Sequence, residues 1–177
     1  MLPTSAGEQA GESRRTDEEL FVAACACADK PEVHRLLDRT PDLLKKLSDR
    51  QLRQLPNLAA QGNLPAVQTM VESGWPIETL GGDWNATALN LAVFYGNSTM
   101  AELLLKHGAS WQTKHGFADN VMGTLSYASM SGGMEDPHWG DYIGCAKALI
   151  AHGMPLPPEK YQFSDEVTEY FEGLRAV

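Results

Sequence analysis

The middle of the chain repeats with a spacing of 34 residues. Gly62 and Gly96 are 34 residues apart, and so are Gly74 and Gly108. Around each pair runs the same order of features: a short apolar stretch, a glycine, a second apolar stretch and another glycine. A self-similar period of this length is typical of proteins built from stacked repeats. Such folds usually offer an extended surface to a partner, so the period indicates binding as the mode of action.

Length, charge and cysteine content limit the kinds of partner and the cellular compartment that we expect for this chain. The 177 residues suffice for one good core, and we expect one domain. A formal net charge of −9 argues against binding nucleic acid or an anionic membrane and suits a partner protein with a basic surface. No apolar run approaches the roughly 20 residues of a membrane span. Because there is no secretory signal pattern and three cysteines form no disulfide framework, we expect a cytoplasmic protein.

The first part of the chain carries several helix-start signals. Residues 1–15 are rich in Gly, Ser, Glu and Gln, and we interpret them as a disordered arm. Thr16 followed by Glu19 has the form of a capping box, which predicts a helix from this point. Further helix starts are predicted at Pro31, Pro41 and Ser48.

A closing helix is predicted at the other end, over residues 164–175. Ser164 is expected to cap this helix. Its apolar face is expected to consist of Val167, Tyr170, Phe171 and Leu174.

The clearest repeat unit lies at residues 87–109. TALNLAVFYG predicts a short helix that ends at Gly96, and NSTMAELLLKHGA predicts a longer helix with a wider apolar face. Gly108 is expected to take a left-handed cap conformation, in which a side chain strains the turn by roughly 1 kcal/mol.

This unit resembles an ankyrin repeat, whose pattern runs Thr-Pro-Leu-His-x-Ala-Ala, then Gly, a Leu-Leu pair and Gly-Ala. The residues that match are Thr87, Leu89, Ala92, Gly96, Leu104, Leu105, Gly108 and Ala109. Ala88 and Asn90 stand where the pattern has Pro and His, which puts part of the usual hydrogen-bonded turn in question.

Three other stretches resemble further repeats. Residues 55–78 resemble the preceding one, although Pro56 falls where its first helix should already be running. Residues 123–154 resemble the following one, with nine residues inserted around 133–141. Residues 20–37 resemble a degenerate first repeat that lacks the glycines.

The resemblance implies an all-α fold: an ankyrin-type repeat solenoid of about four helix pairs plus a C-terminal capping helix. We expect a single domain over residues 16–177. The expected repeats cover about 17–48, 49–82, 83–116 and 117–156, and the cap covers 157–177.

The resemblance also implies that a partner protein is held by the hairpin tips between repeats and by the exposed face of the first helices. The partner-binding residues it points to are Asp83, Trp84, Ala86, Phe94, Tyr95, Trp111, Phe117 and Met130. Aromatic and Met side chains are enriched at the centres of interfaces. The alternative is that Phe94 and Tyr95 pack on neighbouring tips and only complete the stack.

The insertion offers a second possible contact site. Its candidate residues are His138, Trp139, Asp141 and Tyr142, with Trp139 and Tyr142 expected to be exposed. The alternative is that Trp139 folds back onto the helix pair.

Motifs for catalysis and for cofactors are missing from the sequence. It contains no Gly-rich phosphate loop, no Gly-x-Ser-x-Gly and no His-Glu-x-x-His. Cys25 and Cys27 point to different sides of a helix and cannot share one metal ion. We therefore expect an adaptor or inhibitor that is not an enzyme and has no cofactor or metal. The alternative is an enzyme or small-molecule receptor with a site near residues 133–142.

Overall fold

The computed structural model describes residues 15–131 and 140–176, so the expected N-terminal arm lies almost wholly outside the described residues. Within them the chain forms eleven helices, and its only β structure is one isolated bridge. The helices are α1 Asp17–Ala26, α2 Lys30–Arg39, α3 Leu43–Lys46, α4 Asp49–Leu52, α5 Gln54–Ala60, α6 Leu64–Glu72, α7 Ala88–Phe94, α8 Ser98–Lys106, α9 Val121–Ser131, α10 Tyr142–Ala151 and α11 Asp165–Arg175.

These helices form two rows. The inner row consists of α1, α5, α7 and α9, each in contact with the next, and the outer row contains α6, α8 and α10. Each inner helix also contacts the outer helix that follows it in its own hairpin, as α1 contacts α2 and α7 contacts α8. Helix α11 packs on α10 at the end of the stack. The predicted all-α repeat solenoid is confirmed, while the residue boundaries between repeats stay a prediction.

The 34-residue period places equivalent side chains in the core. Leu55 and Leu89 are fully buried on the inner row, and Met70 and Leu104 are fully buried on the outer row. Burying a side chain of this size contributes roughly 2 kcal/mol relative to leaving it exposed. Because each repeat buries these residues against its neighbours, stacking stabilises the whole array.

Several helix-start predictions hold and some need correction. The capping box of Thr16 and Glu19 is present, as predicted. Pro56 does not distort its helix, because α5 begins only at Gln54 and a proline in the first turn lacks only an N–H that would have no partner there. At the closing helix, the Ser164 side chain makes no capping hydrogen bond, and Leu174 is exposed.

The same two residue conformations recur directly before the outer helix of every pair. Each outer helix is preceded by a residue with positive φ and then by an Asp or Asn at the N-cap. The positive-φ residues are Ala28, Gly62, Gly96 and Gly140, with φ of 57°, 70°, 60° and 83°. The caps are Asp29, Asn63, Asn97 and Asp141, which accept from the backbone N–H three residues on at 3.1, 3.3, 3.0 and 2.7 Å. Ala28 therefore stands in the first pair where glycine stands in the other three.

The first prediction concerns this alanine. A non-glycine residue in the left-handed region costs roughly 1–2 kcal/mol. We expect Ala28→Gly to raise the free energy of unfolding by about 1 kcal/mol, after allowance for the greater freedom of glycine in the unfolded chain. The reverse change at the equivalent position, Gly62→Ala, should lower it by about the same amount. Urea denaturation of both variants measures this, and a loss of stability in Ala28→Gly would show that the turn is not strained.

The second prediction concerns Gly96, where a side chain meets the backbone of the next pair. A Cβ on Gly96 would lie 2.3 Å from the Gly140 Cα, whereas a Cβ on Gly62 meets its nearest atom at 3.8 Å. We expect Gly96→Ala to cost about 3 kcal/mol, because overpacking adds to the backbone strain. Gly62→Ala is the matched control, since it carries the strain alone. Equal losses in the two variants would contradict the close approach.

Candidate functional site

Two hairpin tips lie side by side and are fastened to each other. The first tip is closed by Gly81 and Ala86, whose N–H groups each donate to the other's carbonyl at 2.9 and 2.8 Å. The second tip is attached to the first through Gly116, whose N–H donates to the Trp84 carbonyl at 2.8 Å. Because this bond fixes the backbone of Trp84, the ring of this residue is presented from a defined position. Ala86 itself is fully buried, so its expected role as an exposed contact is wrong.

Buried polar side chains join the third and fourth pairs beneath these tips. Asn90 is fully buried, and its Oδ1 accepts from the Thr124 hydroxyl at 2.7 Å. Its Nδ2 donates to the Thr87 hydroxyl at 3.0 Å. Thr87 in turn caps α7 by accepting from the Asn90 N–H at 3.2 Å. Asn90 thus forms a hydrogen-bonded turn although the pattern's His is absent, and it extends that turn to the neighbouring repeat.

Above this seam lies a pocket of about 660 Å³, which we call the aromatic pocket. Its walls come from the two tips and from the inner helices α7 and α9. The lining residues are Asp83, Trp84, Phe94, His115, Phe117, Asp119, Gly123, Thr124 and Tyr127.

The rings of the aromatic pocket contact one another in sequence. The Trp84 centroid lies 5.5 Å from that of Phe94, 4.9 Å from that of His115 and 6.3 Å from that of Phe117. Phe94 and Tyr127 are nearly parallel, with centroids 6.3 Å apart. Such spacings fall in the range in which aromatic pairs attract one another. The pocket therefore has rigid walls made of aromatic faces and edges.

Two carboxylates and one imidazole set the charge of the aromatic pocket. Asp83 is exposed at its rim. Asp119 uses Oδ1 to accept from the Tyr161 hydroxyl at 2.9 Å and from the Asn120 N–H at 2.8 Å. Its Oδ2 lies over Gly123, where a Cβ would approach to 2.0 Å, so only glycine leaves room for the carboxylate.

His115 is held in its neutral form. Desolvation by burial lowers the pKa of the imidazole below its ordinary value, although the charge of Asp119 opposes this. The Phe117 N–H also donates to Nδ1 at 3.2 Å, which requires that nitrogen to be unprotonated. At neutral pH the described lining of the aromatic pocket therefore contains two carboxylates and no cationic residue.

Of the other expected partner-binding residues, Phe94 lines this pocket and Tyr95 contacts Phe94, whereas Trp111 and Met130 lie outside the lining. Phe94 is half-buried, whereas the adjacent Tyr95 is 39% exposed, with its ring edge-on to Phe94 at 5.1 Å. Met130 on α9 is 50% exposed. Trp111 is half-buried against the core, and neither it nor Met130 lines the aromatic pocket.

The second possible contact site, which was predicted at the insertion, differs from the expectation. His138 and Trp139 lie outside the described residues. Asp141 is the N-cap of α10 and also accepts from the Ser98 hydroxyl at 2.7 Å. Tyr142 is buried, and its hydroxyl donates to the Phe94 carbonyl at 3.2 Å, so the expected exposure of Tyr142 is wrong.

Tyr127 is a surface residue that the sequence analysis missed. It is 63% exposed and forms one wall of the aromatic pocket. Asn90 and Thr124 are again 34 residues apart, and in this register Tyr127 is equivalent to Val93. Val93 is fully buried, so the repeat pattern does not predict the exposure of Tyr127.

Neither a cluster of metal ligands nor a membrane-spanning helix occurs in residues 15–131 and 140–176. This part of the chain contains no group of three or more His, Cys, Asp or Glu residues that could hold a metal ion, and no helix in it is long and apolar enough to cross a membrane. Burial raises the pKa of both Cys25 and Cys145 to about 12, so these thiols stay protonated at neutral pH. Cys27 is exposed.

The third prediction tests the seam beneath the tips. Asn90→Ala and Thr124→Val each break the bond between them, and we expect each to cost about 2 kcal/mol because a buried polar group loses its partner. The double variant should cost clearly less than the sum of the two, as residues in direct contact are coupled. Urea denaturation of the four proteins measures the coupling. Strict additivity would mean that the bond contributes nothing.

The comparison with known proteins agrees with this geometry. A family model described as ankyrin repeats (many copies) matches residues 55–105, which contain α5, α6, α7 and α8. No curated protein matches the chain. The match covers the two helix pairs in which the 34-residue period is clearest, and the same two-row packing continues on both sides of it. This stretch of the chain is therefore similar to ankyrin repeats.

Proposed function

We propose that this chain is a binding module that holds a partner protein on its inner helices and hairpin tips, with the aromatic pocket at the centre of the interface. Ankyrin repeats are generally protein–protein interaction modules and are typically non-catalytic. The proposal goes further, because it names the surface of this chain that holds the partner and the sign of the partner's charge.

One observation carries the proposal. Among the described residues seven large hydrophobic side chains are exposed, and three of them lie in or directly beside the aromatic pocket. These three are Tyr95, Phe117 and Tyr127. Phe117, 77% exposed, is the most accessible. Exposed apolar side chains that cluster, rather than scatter singly, mark interaction surfaces.

The charge of the module supports a basic partner. The chain carries a formal net charge of −9, and Asp83 and Asp119 line the aromatic pocket. Complementary charge speeds association and discriminates against acidic competitors. We therefore propose a partner with a basic surface, bound by an adaptor or inhibitor in the cytoplasm. Two buried free thiols, Cys25 and Cys145, favour a reducing compartment.

A small-molecule receptor is the second candidate, favoured by the size of the aromatic pocket. A volume of about 660 Å³ falls in the range of ligand sites, and apolar walls with a few polar groups are typical of them. The ligand site of such a receptor lies at the tips and not near the insertion, because neither Asp141 nor Tyr142 lines the aromatic pocket.

The fourth prediction tests the surface with the double variant Phe117→Ala/Tyr127→Ala. Affinity capture from native lysate, read by mass spectrometry, should recover a specific protein with the wild-type chain and at least about tenfold less with the variant, as expected for hot-spot aromatics. The melting temperature should fall by no more than about 4 °C, because both side chains are largely exposed. Phe94 is unsuitable for this test, since it packs against the core.

The matched control is Leu156→Ala/Leu174→Ala, which removes two exposed apolar side chains near the C-terminal end. This variant should capture the partner as the wild type does. Loss of capture with the control and retention with the Phe117/Tyr127 variant would move the interface away from the aromatic pocket.

A further inference from the structure

We propose that the aromatic pocket binds an organic cation, namely the ammonium group of a lysine side chain, plain or methylated, presented by the partner. This inference rests on the proposed function and specifies the chemistry of its central contact. The observations behind it are the ring arrangement, the sign of the charge and the geometry of the opening.

Four aromatic rings line one volume, those of Trp84, Phe94, Phe117 and Tyr127. Trp84 and Phe117 form one stacked pair, Phe94 and Tyr127 form another, and Trp84 contacts Phe94 between the pairs. A cation within about 6 Å of a ring centroid is attracted by the negative face of the ring, and Trp is the strongest partner. A volume lined by four such rings therefore offers an ammonium ion an attraction that a neutral apolar group lacks.

The charges of the lining residues favour the same ligand. Asp83 and Asp119 contribute carboxylates, and none of the lining residues that the structure describes is Lys or Arg. The one titratable base in the wall, His115, is kept neutral by burial. A neutral apolar ligand would gain nothing from the two carboxylates, whereas an ammonium ion is attracted by both. An anionic ligand would be repelled.

The position of the pocket suits a side chain presented from outside. Phe117, on the second tip, and Tyr127, on α9, are the most exposed large hydrophobic residues described, and they stand at the surface of the pocket. Phe94, farther in, is half-buried, and Thr124 is buried. A long unbranched side chain can therefore pass between the outer rings and place its charged end against Trp84.

The fifth prediction uses a small cation and its neutral isostere on the full chain. Choline chloride should shift the indole N–H signal of Trp84 in a ¹H–¹⁵N NMR titration until the shift saturates. The neutral isostere 3,3-dimethylbutan-1-ol has the same shape and should bind about tenfold more weakly, because it lacks the cation–π attraction. Ionic strength is kept constant. Equal binding of the two probes would overturn the inference.

A second titration identifies the source of the cation. The probes are capped Gly-Gly-Lys-Gly-Gly, its trimethyl-lysine form and a form with norleucine in place of lysine. We expect both lysine forms to shift the Trp84 signal and the norleucine form to have at least about tenfold less effect. If choline binds and neither lysine peptide does, the ligand is a free small cation and the assignment to a partner side chain is wrong.

Two variants locate the binding. Phe117→Ala removes a largely exposed ring and should weaken choline binding several-fold without unfolding the tip. Asp83→Asn removes an exposed carboxylate from the rim and should weaken binding less, with a smaller dependence on salt. Unchanged affinity in both variants would place the bound cation elsewhere.

The experiments distinguish a failure of the cation inference from a failure of the proposed function. If no cation binds and Phe117→Ala/Tyr127→Ala still loses the captured partner, the cation inference is wrong and the protein-binding surface stands. If cations bind but the double variant keeps its partner, the proposed interface is wrong, and with it the assignment of the cation to that partner.

Discussion

The repeated turn between inner and outer helices determines the rest of this structure. In the first three pairs a residue with positive φ reverses the chain, and the Asp or Asn that follows it caps the outer helix. Because the same two conformations recur at Ala28, Gly62 and Gly96, these hairpins turn in the same way and can stack in register, and Gly140 precedes the last outer helix in the same conformation. The stacking brings successive tips side by side, and it is the tips that carry the aromatic pocket.

The pocket in turn depends on the seam between the third and fourth pairs. Asn90 and Thr124 hold α7 against α9 in the interior, and Gly116 holds the second tip against Trp84 at the surface. Glu78 adds a further connection between tips, because it accepts from the Ser110 N–H at 2.8 Å. Because α7 and α9 are joined in the interior and the two tips are joined at the surface, backbone contacts position the rings in addition to the contacts between the rings.

Much of the fold follows from the sequence because glycines and apolar residues repeat with one period. The period predicted the helix pairs and the left-handed turn at Gly108. The left-handed turn at Ala28 was not predicted, because an alanine, unlike a glycine, does not indicate a left-handed conformation.

The candidate site was only partly predictable. Trp84, Phe94 and Phe117 could be selected from their places in the repeat, but the choice between core and surface at Ala86 and Tyr142 was wrong. Ala86 is buried by the bridge to Gly81, and Tyr142 by its hydrogen bond to the Phe94 carbonyl. Both contacts join residues in space that the repeat pattern does not relate. Tyr127 was not predicted because the 34-residue period relates it to Val93, which is fully buried.

The walls of the aromatic pocket belong to two neighbouring repeats: Trp84 and Phe94 come from one, and Phe117 and Tyr127 from the next. In a linear array the coupling between adjacent units decides whether they unfold together or one after another. A ligand held between these four rings strengthens that coupling at a single joint. Occupancy would thus couple the central and C-terminal units more tightly, so that they unfold as one cooperative block when the partner is bound.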